Sequence, residues 1–228
     1  MSYLVLYLMM KFTNAEKIFA ATGAVTGWFA IIAQLVLIIQ NRVTDIPEAI
    51  IRFFSYFTVL TNILVALCFT FVWIKPAVKN GFWLSPITKT ALLVYILVVG
   101  IIYNAILRFL WAPTGLQKIV DELLHLVMPM LFVIYWIYFV PKESLQWKNA
   151  FNWLLYPFIY LLYILARGAA SATNFYPYPF VDVYNHGYQK VMISCVLMLL
   201  LFLMLSLIFI GLGRFAARKK GSVHKSHF

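Results

Sequence analysis

Six stretches of this chain are apolar enough and long enough to cross a bilayer, and nothing else restricts its fold as strongly. In hydrocarbon every backbone amide and carbonyl must find its partner inside the protein, so an apolar run of ~20 residues reads as a spanning helix. Cutting the runs at charges, prolines and loop signals gives spans at about Ile18 to Ile39, Phe53 to Ile74, Thr90 to Leu110, Leu123 to Val140, Phe151 to Ala166 and Val191 to Leu212. The expected fold is all-α: one integral membrane domain over residues 1–228, built as a bundle of six transmembrane helices. A membrane barrel would show short alternating segments instead. Residues 1–17 form an apolar N-terminal segment without the basic start or small-residue cleavage site of a signal peptide, and residues 213–228 form a basic tail.

Charged residues make up 11% of the chain, against about a quarter in soluble domains. The net charge of +11 would suggest nucleic acid in a soluble protein, but here the excess sits in short loops and the tail, where it sets orientation. Nucleic-acid binding is therefore rejected. Twelve of the 18 Lys and Arg residues fall on one side of the bundle, among them Lys11, Lys17, Lys75, Lys79, Lys89, Lys142, Lys148 and those of the tail. Arg42, Arg52, Arg108, Lys118, Arg167 and Lys190 fall on the other, which places both termini in the cytoplasm. Cys68 and Cys195 lie near opposite faces on this topology, too far apart for a disulfide. Gly23 and Gly27 have the GxxxG spacing that admits a close helix neighbour.

The second span is polar where a lipid-facing helix has no need to be. Ser55, Thr58, Thr61 and Asn62 recur at spacings of three and four residues, hence on one helical face. An unpaired polar group in hydrocarbon costs several kcal/mol, roughly, so this stripe is expected to face the bundle interior or a wet cavity. The topology brings other polar residues to the same outer level: Asn104 and Arg108 at the end of span three, Asp121, Glu122 and His125 at the start of span four, and Arg167, Asp182 and His186 in the link after span five.

A threonine within reach of a histidine is a candidate nucleophile and general base for ester cleavage. Asp121 and Glu122 precede His125 by four and three residues and are able to orient its ring. The plainer alternative for Thr58 is a hydroxyl bonded to the carbonyl one turn back, and for His125 a hydrogen-bonded bundle residue. Asn104 and Arg108 are suited to a carboxylate, a phosphate or a developing oxyanion, or else Arg108 pairs with Asp121 or Glu122. The aromatics of NFYPYPFVDVYNHGY either roof a cavity or anchor at the headgroups. No metal or cofactor is expected, because His125 and His186 lack helical zinc spacing, His224 and His227 lie in the tail, and no Walker loop or GxSxG elbow is present. The tail's basic residues suit anionic lipid.

Three segments, FFSYFTVLTNILVA, the pair IIYNAILRFLW and DELLHLVMPMLFVIYW, and FYPYPFVDVYNHGY, together resemble the bacterial six-helix Pr-six-Pr membrane proteins, relatives of the animal androgen-induced gene family. The resemblance covers the chain from span two onward. It implies a bacterial inner-membrane protein related to hydrolases of fatty acid esters of hydroxy fatty acids that use an essential Thr and His. Carried over by position, these fall on Thr58 and His125, with Thr61 as a near neighbour that could take the threonine's place. The resulting expectation is a lipid-ester hydrolase near the outer membrane surface, with Asn62, Asn104 and Arg108 at the polar end of an acyl-ester substrate. The rival is a non-catalytic membrane protein that binds or transports a lipid or small solute, although broken helices of the carrier type are not evident.

Overall fold

A computed structural model describes residues 3–74, 81–171 and 173–225, with side chains described between residues 14 and 219 of these segments. Lys75, Lys79 and His227 fall outside the described residues, as do the side chains of Lys11, Lys220, His224 and Lys225. Among the described residues the regular structure is all helical. Six helices are long and apolar enough to cross a membrane, as a multi-pass integral membrane protein requires: Asn14–Gln40, Phe57–Ile74, Pro86–Phe109, Gly115–Phe139, Asn149–Ala170 and Val183–Lys219.

The chain groups into two compact units, one of Met1–Phe54 and Thr58–Pro141, the other of Ser55–Phe57 and Lys142–Phe228. The first contains α1 (Tyr3–Gln40), most of α2 (Ile46–Ser55) and α3 (Phe57–Ile74), α4 (Pro86–Ala105), α5 (Gly115–Glu122) and α6 (Met128–Phe139). A π-helical turn, Leu123–Val127, joins α5 to α6. Helix α4 packs on α6, and α6 on α1. Added Cβ atoms would lie 2.6 Å from the Phe69 ring at Gly23 and 2.9 Å from Met128 Cε at Gly27, so the expected close approach is to α3 and α6. Phe69, Phe132 and Tyr135 fill the core, while Phe29 and Ile32 of α1 and Met130 and Ile137 of α6 face outward at 52–58% exposure. Outward apolar faces of this kind suit lipid.

The second unit holds α7 (Asn149–Trp153), α8 (Leu155–Ala170) and α9 (Val183–Lys225), the last interrupted at Gly187 (φ 75°, ψ 158°). The separation of α7 from α8 follows from Pro157, which has no N–H to offer the Trp153 carbonyl. Arg167 donates to the Phe175 carbonyl at 2.9 Å and lies 4.8 Å from that ring, pinning the link to α9. Tyr56 meets Tyr178 edge-on at 5.8 Å, and Tyr160 donates to the Ser55 carbonyl, one of those left over at the end of α2. Tyr178 of the aromatic link is thus packed inside, whereas Tyr184 and Tyr188 are 71% and 66% exposed. Cys68 and Cys195 are both free and buried.

Several boundaries differ from expectation. Helix α4 begins at Pro86 rather than near Thr90, because Ser85 accepts from the Ile87 amide and Pro86 takes the first helical position. The fourth crossing begins at Gly115, so Asp121 and Glu122 lie within it rather than in a loop. Tyr56 is non-helical, so the polar stripe is split: Ser55 ends α2, while Thr58, Thr61 and Asn62 open α3.

Candidate functional site

The site in the first unit is organised by a defect in a helix. In the π-turn the Met128 amide bonds the Leu123 carbonyl five residues back. The next residue, Pro129, has no N–H, so neither the Leu124 nor the His125 carbonyl receives its usual helical donor. Two asparagines from neighbouring helices repair this. Asn62 Nδ2 on α3 donates to the Leu124 carbonyl at 3.3 Å, and Asn104 Nδ2 on α4 donates to the His125 carbonyl at 3.3 Å. Each amide also donates one turn back on its own helix, Asn62 to Thr58 O at 2.9 Å and Asn104 to Gly100 O at 2.8 Å. Both targets of each amide are carbonyls, which fixes which end of the side chain faces them.

Gly100 is what lets α4 approach. A Cβ there would lie 3.2 Å from the His125 carbonyl oxygen and 3.3 Å from Pro129. Three residues on, the Tyr103 ring stacks on the His125 imidazole with centroids 3.8 Å apart and planes at 17°. Its hydroxyl donates to Asp121 Oδ2. The other carboxylate oxygen, Oδ1, lies 3.3 Å from His125 Nδ1, and the Asp121 carbonyl lies 2.9 Å from the same nitrogen. A carbonyl and a carboxylate are both acceptors, so Nδ1 carries the proton and Nε2 is the nitrogen left to accept one. Asp121 is 5% exposed, and its two oxygens are shared between the tyrosine and the histidine.

Arg108 and Glu122 form a second layer. The guanidinium makes a two-pronged contact with the Glu122 carboxylate, at 2.6 and 2.8 Å, and donates through Nε to Asn104 Oδ1 at 2.9 Å. Of the two fates foreseen for Arg108, the ion pair is the one formed. It also fixes the Asn104 amide that holds the His125 carbonyl. Glu122 therefore supports the site through arginine, while Asp121 is the carboxylate on the imidazole.

Thr58, in the first turn of α3, is 8% exposed, and Thr61 and Asn62 are fully buried. The Asn62 amide ties the Thr58 carbonyl to the Leu124 carbonyl, one residue before His125. Asn62 Oδ1 is buried, and among the described residues no group donates to it. A buried acceptor of that kind is costly unless a donor arrives, so it marks a place where a hydroxyl- or amide-bearing ligand gains affinity. Asp182 belongs to the second unit and caps α9: Oδ1 accepts from the Asn185 amide at 3.0 Å and Oδ2 from the Asn185 side chain at 2.6 Å.

Sequence reasoning named Asp121, His125, Asn62, Asn104 and Arg108 but missed Tyr103, Gly100 and Pro129. The available signal was Pro129 four residues after His125, facing a span that carries Gly100, Tyr103 and Asn104 at spacings of three and four. Among the described residues no group of three or more His, Cys, Asp and Glu side chains gathers as metal ligands would. Comparison with protein-family models, with curated proteins and with solved structures returns no match, so the reading of this site rests on its residues and their geometry.

Proposed function

We propose that the protein hydrolyses lipid esters through Thr58 and His125, with both termini in the cytoplasm and the site near the outer membrane surface. The observation that carries this reading is the state of His125: Asp121 holds its Nδ1, which leaves Nε2 as the basic nitrogen. In the reaction, His125 Nε2 takes the proton of the Thr58 hydroxyl as Oγ1 attacks the ester carbonyl. Collapse of the tetrahedral intermediate breaks the bond to the alcohol, which leaves with that proton, and an acyl-threonine remains. Water then gives a proton to Nε2 and its oxygen to the acyl carbon, and the proton returns to Thr58 as the free acid departs. Asn62 Oδ1 accepts from a hydroxyl at the polar end of the substrate, and the acyl chain lies between helices. The resemblance to the Pr-six-Pr proteins and the androgen-induced gene family supports the same two residues.

A second reading, a membrane protein that binds lipid or a small solute without turnover, draws support from the Asn104–Arg108–Glu122 network, whose members bond one another. The assay that separates the two uses purified protein in detergent or nanodiscs on medium- and long-chain esters. Thr58→Ala and His125→Ala each lower turnover by about 1,000-fold or more if they are nucleophile and base. Full activity in either variant rules out the mechanism. A lipid that copurifies and is never cleaved favours the second reading.

A further inference from the structure

We propose that Tyr103 is a positioning residue for His125: its hydroxyl sets the Asp121 carboxylate and its ring holds the imidazole, so that Nε2 is presented in one orientation. The inference rests on the hydrolase reading for its consequence in turnover, but not for its geometry. An aspartate has two oxygens and a free rotation about χ2, and a lone Asp–His contact leaves the carboxylate able to swing. Here the rotation is stopped from both ends, with Oδ2 held by the Tyr103 hydroxyl and Oδ1 turned to His125 Nδ1. The imidazole is restrained independently by stacking on the ring of the same tyrosine, at 3.8 Å. Tyr103 itself is 3% exposed, on a helix that Gly100 allows against the π-turn. The Arg108 guanidinium, 5.2 Å from its centroid, adds a further contact to the ring. One side chain thus restrains both the carboxylate and the imidazole. Groups that orient a functional histidine through its other nitrogen commonly matter about 10- to 100-fold.

The experiment separates ring from hydroxyl. Histidine labelled with nitrogen-15 in the ring is introduced into the full chain, and the His125 signal is identified by its loss in His125→Gln. The wild type shows a single Nδ1–H tautomer. Tyr103→Phe keeps the volume and the stacking and loses only the hydroxyl, so kcat on esters falls about 10-fold with KM nearly unchanged and the His125 ring signals broaden as its orientation loosens. Tyr103→Leu loses both restraints, broadens those signals further and lowers kcat about 100-fold. The ordering wild type, Phe, Leu in both readouts supports the proposal. Wild-type line widths and positions of the His125 ring signals in both variants overturn it, whatever happens to kcat, because a purely structural defect need not touch the orientation of the ring. If Tyr103→Leu does not fold, the Phe variant decides alone. If the wild type cleaves no ester, the hydrolase reading fails while the nitrogen-15 comparison still passes or fails Tyr103.

Discussion

Near the start of α4, Lys89 and Tyr135 converge on one carboxylate: the Tyr135 hydroxyl donates to Glu16 Oε1 at 2.8 Å, and Lys89 Nζ lies 3.8 Å from the same oxygen. Near its end, Tyr103 and His125 converge on Asp121. The chemistry is similar, a carboxylate shared by a tyrosine and a nitrogen-bearing partner, half-buried at Glu16 and buried at Asp121, yet the surroundings differ. Glu16, Lys89 and Tyr135 come from helices without interruption at those points, and aromatic rings enclose them, Phe19 at 6.2 Å and Phe69 at 5.3 Å from Tyr135. At the other end two asparagines are spent on carbonyls that a π-turn and a proline have orphaned, and Asn62 Oδ1 still has capacity to bond. Unused hydrogen-bonding capacity beside a helix irregularity is what distinguishes a site from a tie, since a tie that left donors or acceptors over would only cost stability.

Breaking the tie should therefore harm stability and spare chemistry. Lys89 is 5% exposed, and Lys89→Met removes the positive partner of Glu16; unfolding in detergent is expected to become easier by about 3 kcal/mol, with ester turnover per folded molecule unchanged. The double variant with Glu16→Gln should recover most of that loss, because no unpaired charge remains. Recovery that fails, or turnover that falls, would erase the distinction between the two ends.

At the site end the expected stability effect is smaller and the activity effect larger. Asn104→Leu leaves the His125 carbonyl without its donor, for a cost of about 1–3 kcal/mol and a loss of turnover. Smallest in stability is Pro129→Ala, within about 1 kcal/mol of wild type, because it supplies the missing N–H and permits a regular helix. That regularisation keeps Asp121 and His125 on one helix face but turns both relative to Tyr103 on α4, so turnover drops while thermal unfolding hardly moves. Amide hydrogen exchange of the 123–130 segment checks the change directly: exchange slows in Pro129→Ala if the turn becomes α-helical.

These contrasts also show what could be read in advance. The six crossings were legible because length and hydropathy suffice for them. The start of the fourth was misplaced by the acids Asp121 and Glu122, which look like loop residues until Tyr103 and Arg108 are known to accept them inside the helix. Lys89 was counted as a surface charge for the same reason: its burial depends on Glu16, 73 positions earlier in the chain. The interruption at Tyr56 has no local breaker to announce it. Tyr103 was invisible because a tyrosine in an apolar run usually means packing or a headgroup anchor. Its role comes from a partner on another helix, and spacing along one helix carries no record of that.

The most direct test traps the acyl-threonine. The protein is mixed with excess of a reactive medium-chain ester, quenched in acid within one turnover, digested, and the peptide spanning Phe57–Ile74 is weighed by mass spectrometry. One acyl group on Thr58, absent in His125→Ala, is the predicted result. Ester cleavage with Thr58 unmodified, or with the acyl group on Thr61, would contradict it.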